Sequence, residues 1–530
     1  MNDETTQHWS KSIVEEAIRT RGSPQIICGG WSPSGIFHVG NAREIATCNG
    51  FSKMLKIKNT ESRFFFIIDD TDPLDKIPKI FKKYSNVLKP YLGHPINRIP
   101  DPTGETDSYA EHFTRGIVKA SKDWGIDVEF IRAFDLYNSG KYDKYLKLYL
   151  QKEEEVQQLI EKISGSRLNG FFNVICSNCG NAKTTIIQDS SNLEKIHYEC
   201  KTDRMYKGCD FEGTMNYKKH QWKLKWRLDW PARQDFLGVT IEPAGKDHAA
   251  EGGSIDTTFA IHKEIFGHEP PLMPGYGFIV MQGRKMSGSK DGIPAANLVK
   301  FMDPYAFLFM IYRANRKRDI EFKIETAEYG DLIDEFTQVR RAINGKEFNG
   351  TAREYEKLKT ACELALPRDQ WGIVPANVKF SELVLLYQTN FRDRDKLIET
   401  LERMEKIDSL DSEDELNARI SNISYWLDYL APESVKFKIL DKPPENIREF
   451  WSKEICTTWT EILTSTPEDA VGKEFLNYLR EIVKKKGQDI KQVFRAFYQL
   501  LLGKNVGPNA AGLIESIGRE SLLKKIKLLC

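Results

Sequence analysis

Continuous apolar runs alternate with segments of helical spacing through the first part of the chain. The runs predict buried strands over 24–28, Arg63–Ile68, Phe236–Ile241 and Gly277–Met281. Apolar residues three and four apart predict helices over Ser10–Arg21, Tyr109–Trp124 and Lys141–Ile163. Strands that are apolar throughout and alternate with helices are typical of a parallel sheet covered on both faces. From about Asn297 to Cys530 the spacing is helical, so we expect an α/β part followed by an all-α half.

The stretch from Cys28 to Asn41 is predicted to be a short strand, a glycine-rich loop and the first turn of a helix. Free backbone N–H groups and the positive end of the helix suit an anion such as a phosphate. Glycine turns between a strand and a helix also occur for packing reasons alone, and the stretch by itself leaves both interpretations open.

Polar residues follow two other predicted strands. Asp69–Asp72 comes directly after the second strand, where ligands of parallel sheets bind, although a helix N-cap would use the same residue types. The loop Gly283–Gly292 holds two serines and three basic residues, a composition suited to polyphosphate or to a simple exposed loop.

Four of the nine cysteines are clustered. Two residues separate Cys176 from Cys179, and Cys200 and Cys209 follow. Four thiolates in this order can close a tetrahedral zinc site, although eight residues lie between the second pair, and free cysteines are the alternative. Sparse cysteines indicate a metal or free thiols rather than a disulfide framework.

Composition bounds the class of protein. The 530 residues are 40% hydrophobic and 29% charged, which is typical of a soluble globular chain of three or four domains. The longest apolar runs fall short of the ~18 residues that span a bilayer, and the polar start is not a secretory signal, so we expect a cytoplasmic protein with no membrane partner. A net charge of +1 neither demands nor excludes a nucleic-acid partner.

Two loops together resemble a known pair of signatures. His38-Val-Gly-Asn41 and Lys285-Met-Ser-Gly-Ser289 are similar to the His-Ile-Gly-His and Lys-Met-Ser-Lys-Ser sequences of class I aminoacyl-tRNA synthetases. The resemblance implies a Rossmann-type catalytic domain in which these loops bind Mg²⁺-bound ATP. It assigns His38 and Asn41 to the α-phosphate and Lys285, Ser287 and Ser289 to the pyrophosphate. The implied ATP site also includes Pro33, Ser34, Gly35, Gly40, Met286 and Gly288.

The chain departs from the signatures at two positions. Asn41 replaces the last histidine but keeps a hydrogen-bond donor, whereas Gly288 replaces a lysine and supplies no charge. We expect Lys290, slightly further along the loop, to provide the missing cation.

Within the class, the closest resemblance is to the glutamyl/glutaminyl branch and to the class I lysyl-tRNA synthetases. Glutamate enzymes place an arginine at the position of Cys28, and a pocket without that cation would leave a substrate carboxylate unpaired. The phrase Trp226-Arg-Leu-Asp-Trp-Pro-Ala-Arg233 also resembles the lysine enzymes. The resemblance assigns to the lysine pocket Gly30, Ser32, Trp226, His248 and Tyr276, with Asp69 for the α-amino group.

The resemblance implies a lysine–tRNA ligase that forms lysyl-adenylate and transfers lysine to the terminal adenosine of its tRNA. The predicted division is a catalytic domain in two halves (1–165 and 218–296), a zinc-bearing insertion (166–217), a linking segment (297–345) and an anticodon-binding region (346–530). A glutamyl-type synthetase or related adenylyltransferase, and a non-catalytic zinc-containing tRNA-binding protein, remain alternatives.

Overall fold

The computed structural model describes residues 8–286, 292–407 and 411–530. These divide into two compact units. The first, here called the sheet unit, comprises Met1–Val299, Pro304–Phe322 and Gly350–Arg368. The second, the helical unit, comprises Lys300–Asp303, Lys323–Asn349 and Asp369–Cys530. Among the described residues, no helix is long and apolar enough to cross a membrane.

The sheet unit contains the strands β1 (Gln25–Trp31), β2 (Ser62–Ile68), β3 (Glu129–Arg132), β4 (Phe172–Val174), β5 (Thr185–Asp189), β6 (Ile196–Cys200), β7 (Glu212–Met215), β8 (Trp222–Leu224), β9 (Ala244–Gly245), β10 (Gly275–Tyr276), β11 (Ile279–Met281), β12 (Arg284–Lys285) and β13 (Ile320–Glu321). Its helices are α1 (Trp9–Arg21), α2 (Ala42–Ile57), α3 (Ser85–Leu88), α4 (Tyr109–Asp123), α5 (Ala133–Asn138), α6 (Asp143–Gln151), α7 (Glu153–Ser164), α8 (Trp226–Leu237), α9 (Ser254–Ala260), α10 (Pro304–Arg313) and α12 (Ala352–Ala365).

The central sheet is parallel, as the apolar runs predict. β1 pairs with β2 and β2 with β3, while Ile241 forms parallel bridges to Ile27 of β1 and to Leu272. The segments that contain Ile241 and Leu272 continue into β9 and β10, which also pair in parallel. The carboxyl ends of β1, β2, β9 and β10 therefore lie along one edge, where ligands of such sheets bind.

The predicted strand Phe236–Ile241 is wrong in its first half. Residues up to Leu237 belong to α8, which ends at Gly238 in the left-handed conformation, with φ of 65°. The Phe236 ring does not lie in the sheet. It packs against the ring of Tyr142, with the ring centroids 4.9 Å apart. The sheet resumes at Thr240 and Ile241, whose N–H groups donate to the carbonyl of Ile26.

Residues 175–221, which include most of the predicted insertion 166–217, lie between two strands that pair with each other antiparallel, β4 and β8. The insertion's own small sheet is antiparallel, in the order β5-β6-β7. Because β4 and β8 are adjacent, the insertion can extend from the unit without disturbing the parallel sheet.

The helical unit confirms the predicted helical C-terminal half, although α10, β13 and α12, which follow Asn297, belong to the sheet unit. It contains α11 (Tyr329–Ile343), α13 (Phe380–Thr389), α14 (Arg394–Arg403), α15 (Glu413–Tyr429), α16 (Lys453–Ser465), α17 (Gly472–Lys485), α18 (Ile490–Leu502), α19 (Ala510–Ile517) and α20 (Arg519–Lys527). Trp459 of α16 stacks on Phe497 of α18 at 4.7 Å in its core. One disulfide joins Cys456 and Cys530 across 74 residues of sequence, a pair for which the cysteine spacing gives no signal.

Candidate active site

Backbone pairing brings the first signature beside the segment that follows the second one. His38 and Pro294 form an antiparallel bridge, with Val39 N–H donating to the Ile293 carbonyl and Ala295 N–H to the Phe37 carbonyl, both at 2.9 Å. A β-carbon on Gly40 would lie 2.9 Å from the His38 ring and 3.2 Å from Cβ of Met286. Glycine at this position therefore lets the two signatures pack together.

His38 is held in one protonation state and one tautomer. Its Nδ1 accepts the Asn41 N–H at 3.2 Å, and the Asn41 amide oxygen accepts the His38 N–H at 3.3 Å. Desolvation, assisted by the charge of Lys285, lowers the pKa of His38 to about 4. The ring is therefore neutral near pH 7 and carries its proton on Nε2, which makes that atom a hydrogen-bond donor.

A cavity of about 450 Å³, here called the signature cavity, is lined by both His38 and Asn41. Of the other residues predicted for ATP, Ser34 and Gly35 also line it, whereas Pro33, Gly40, Lys285 and Met286 do not. Two lysines that the sequence reasoning missed, Lys76 and Lys183, complete its charged wall. Lys183 comes from the insertion and pairs with Asp75 at 3.2 Å.

The second signature is described only in part. Lys285 extends over the Phe278 ring at 3.7 Å and pairs with Asp247 at 3.1 Å. Both it and its partner are more than half exposed, so the ammonium is available to an anion. The other residues predicted for this loop lie outside the described residues, namely Ser287, Gly288, Ser289 and Lys290.

A second cavity of about 290 Å³, the carboxylate cavity, adjoins the first, and the two share Trp31, Ser32 and Asp72. It contains four carboxyl groups, those of Glu44, Asp69, Asp72 and Glu242. Five of the six residues predicted for lysine line it, namely Gly30, Ser32, Asp69, Trp226 and His248. The sixth, Tyr276, reaches it indirectly, because its hydroxyl donates to Glu44 at 3.1 Å.

Glu44 was missed by the sequence reasoning. It occupies the third position of α2 after Asn41, where a glutamate commonly caps a helix. Instead, one carboxylate oxygen accepts the Gly30 N–H at 2.8 Å and the other accepts the Tyr276 hydroxyl. Desolvation raises the pKa of Glu44 to about 7, despite these hydrogen bonds. A bound cation would favour its ionised form.

Asp69 and Asp72 share a buried lysine. Lys223 of β8 contacts Asp69 at 2.6 Å and Asp72 at 2.5 Å, and the two carboxylates raise the pKa of Lys223 against the opposing effect of burial. Thr71 also donates to Asp69 at 3.0 Å. β8, which follows the predicted insertion, therefore fixes the acidic cluster after β2.

Arg233 is a second cation that the sequence reasoning missed. Its guanidinium contacts Glu242 at 3.1 Å, and both side chains are at most 3% exposed. Cys28, which stands where glutamate enzymes carry an arginine, is fully buried and does not line the cavity. The cavity thus holds a guanidinium that comes from α8 rather than from β1.

Aromatic rings form another wall of the carboxylate cavity. Trp226 stacks on Trp230 at 4.8 Å, and His248 lies 5.5 Å from Trp230, measured between ring centroids. Trp226 is 38% exposed although it is large and apolar, so one face is available to a ligand. Aromatic faces attract cations as well as apolar chains.

The four clustered cysteines converge. Their sulfur atoms all lie within 4.8 Å of one another, and the pairs Cys176–Cys209 and Cys179–Cys200 are each 3.7 Å apart. Sulfurs bound at about 2.3 Å to one tetrahedral ion are separated by about 3.8 Å, so the set fits a metal ion. Eight residues separate Cys200 from Cys209, but the chain between them folds back in a loop. The Asp210 N–H donates to the Cys200 carbonyl at 2.9 Å, which brings the two cysteines together.

Comparison with known proteins supplies the family. A family model described as tRNA synthetases class I (K) matches residues 7–367. A lysine–tRNA ligase of Archaeoglobus fulgidus is 31% identical and covers 98% of this chain and 99% of its own length. Those of Pyrococcus horikoshii and Methanocaldococcus jannaschii are 33% and 32% identical, with the same coverage. The chain therefore belongs to the class I (K) tRNA synthetase family.

Proposed function

We propose that this chain is a lysine–tRNA ligase, which activates lysine with ATP and esterifies it to the terminal adenosine of lysine tRNA. The observation that carries the proposal is the carboxylate cavity, an acidic pocket directly beside the signature cavity. The names of the full-length relatives support the same substrate.

The charge balance favours a cationic side chain. Four carboxyl groups line the cavity, and two cations, Arg233 and Lys223, are paired with three of them. Glu44 remains, with hydrogen-bond donors at both oxygens and, within residues 8–286, 292–407 and 411–530, no cation paired with it. We assign the lysine ε-ammonium to Glu44 and the aliphatic chain to Trp226. Ser32, Asp69, His248 and Tyr276 hold the remaining polar groups of the substrate, while Gly30 leaves room for it.

Activation requires alignment more than acid–base chemistry. A lysine carboxylate oxygen attacks the α-phosphorus of ATP, a new O–P bond forms, and the bond to the β-phosphate oxygen breaks to release pyrophosphate. Neutral His38 and Asn41 donate hydrogen bonds to the α-phosphate, and Lys285 stabilises the leaving group with Ser287, Ser289 and Lys290. Mg²⁺ enters with ATP and neutralises part of the phosphate charge. The terminal adenosine of the tRNA then attacks the lysyl carbonyl and AMP leaves.

Structural zinc is part of the proposal. Four thiolates would bind it, and Asn181 and Ala182, just after Cys179, are joined by hydrogen bonds to residues 92–93. We expect Cys179→Ser to lower bound zinc from about one ion per chain to nearly none, together with the melting temperature. The matched control is Cys48→Ser, a buried cysteine outside the cluster, which should keep its zinc. Full zinc content in Cys179→Ser would exclude this site.

ATP–pyrophosphate exchange with each of the twenty amino acids, with and without tRNA, tests the function. We expect exchange with lysine alone. Exchange only with glutamate would favour the glutamyl-type alternative, for which Arg233 is the supporting observation. Binding of tRNA without any exchange would favour the non-catalytic alternative.

A further inference from the structure

The guanidinium of Arg233 is an unexpected group in a cavity for a cationic substrate. Arg233 lies 5.6 Å above the Trp226 ring, and its terminal nitrogen is 3.8 Å from where a β-carbon on Gly30 would lie. It is therefore beside two residues that we assign to the lysine site. An arginine in that place, left unpaired, would attract a carboxylate.

Glu242 prevents Arg233 from attracting a substrate carboxylate, because both Glu242 oxygens accept hydrogen bonds from neighbouring side chains. One accepts the Arg233 guanidinium N–H at 3.1 Å, and the other accepts the Gln234 side-chain N–H at 2.6 Å. Gln234 is itself bound through its carbonyl oxygen to His262 at 3.1 Å. The three side chains in contact, Arg233, Gln234 and Glu242, are 1–3% exposed. These hydrogen bonds hold the Glu242 carboxylate against the Arg233 guanidinium, so it is not available to a substrate.

We propose that Glu242 is a specificity-determining residue: by neutralising Arg233 it makes the cavity reject amino acids with acidic side chains. This inference rests on the proposed function, since it concerns how the same cavity selects lysine. Discrimination of this kind excludes a competitor as well as favouring the substrate, because a substrate carboxylate would meet a guanidinium that already has its partner.

The variant Glu242→Gln keeps the size of the side chain and removes its charge. The probes are L-2-aminoadipate, which is acidic and similar in length to lysine, and the neutral L-norleucine. Relative to the unmodified protein, we expect at least tenfold tighter binding of aminoadipate, about tenfold weaker binding of lysine and unchanged binding of norleucine, all by titration calorimetry. The KM for ATP should not change.

Two further variants separate this effect from general damage. Arg233→Met added to Glu242→Gln should abolish the gain in aminoadipate binding, because the freed cation is gone. Asp411→Asn breaks another buried ion pair, Arg341–Asp411 at 2.7 Å in the helical unit, and should leave amino-acid preference unchanged. If Glu242→Gln does not fold, Gln234→Leu is measured in its place. It removes one hydrogen bond to Glu242, so aminoadipate binding should tighten by a smaller factor.

A folded Glu242→Gln or, failing that, Gln234→Leu with no gain in aminoadipate binding would overturn the inference. The same outcome would follow if the gain persisted without Arg233. Failure of the proposed function is distinguishable, because it would appear as absent lysine-dependent exchange in the unmodified protein, whereas the binding comparison needs no catalysis.

Discussion

The two adjoining cavities are built in different ways. The carboxylate cavity contains two buried ion pairs, Arg233–Glu242 and Lys223–Asp69, beside Glu44, whose oxygens accept hydrogen bonds from Gly30 and Tyr276. In the signature cavity, Lys76, Lys183 and Asp75 are exposed, and the close packing is between backbone and the His38 ring. Fixed, paired charges suit selection of one side chain, whereas exposed lysines near the His38 and Asn41 side chains suit a phosphate chain.

The largest effect should come from the carboxylate cavity. Glu44→Gln removes the charge assigned to the lysine ammonium, and losing one partner of a buried charge pair costs about 2–5 kcal/mol. We expect kcat/KM for lysine to fall about 100-fold or more in pyrophosphate exchange, with the KM for ATP nearly unchanged. Glu129→Gln, at an exposed ion pair with Arg63, is the matched control and should have no effect. An equal loss for lysine and ATP would contradict the separation of the two cavities.

A smaller effect should come from the signature cavity. A β-carbon in Gly40→Ala would lie 2.9 Å from the His38 ring and displace it. We expect kcat/KM for ATP to fall about 10- to 100-fold, because misplacing a reacting group by about 1 Å costs this much. Gly116→Ala, in α4 with no atom within 4 Å of the added carbon, should behave as the unmodified protein. Unaltered ATP kinetics in Gly40→Ala would remove His38 from the site.

The smallest effect concerns pH. Because the pKa of Glu44 is about 7, its ionised fraction rises about tenfold between pH 6 and pH 8. The KM for lysine should fall by up to that factor over this range, whereas His38, with a pKa of about 4, stays neutral throughout. In Glu44→Gln the profile should be flat, and a slope that persists there would assign the titration elsewhere.

The raised pKa of Glu44 also affects folding: stability should fall as the pH rises, whereas lysine binding should improve. The pKa of Glu44 is raised in the folded state, from an ordinary value of 4.5, so the folded protein binds the proton more tightly than the unfolded chain does. This contribution to stability is complete below pH 4.5 and is lost as the pH rises through about 7. Protein without lysine should therefore lose more stability between pH 5 and pH 8 than Glu44→Gln does.

The sequence predicts those features that depend on local pattern. The strand, loop and helix from β1 to α2, the parallel sheet and the helical half follow from apolar periodicity, and the cysteine cluster follows from residue type and order. Where an apolar run crosses from one element to the next, as Phe236–Ile241 does from α8 into the sheet, periodicity misassigns the first part.

The missed residues belong to pairs that only the fold brings together. Glu44 meets Tyr276 across 232 residues of sequence, and Lys223 meets Asp69 across 154. At Glu44 the local pattern points instead to a helix cap on Asn41. The disulfide Cys456–Cys530 was missed for the same reason, since its spacing matches no local motif.

Charging of tRNA tests the central claim most directly. Lysine tRNA, mixed with the other tRNAs, is incubated with the protein, ATP, Mg²⁺ and all twenty amino acids, and the esterified amino acid is identified by mass. The acidic cavity beside the signature cavity predicts lysine on lysine tRNA and no other product. Glutamate on any tRNA, or tRNA that binds but stays uncharged, would contradict the account.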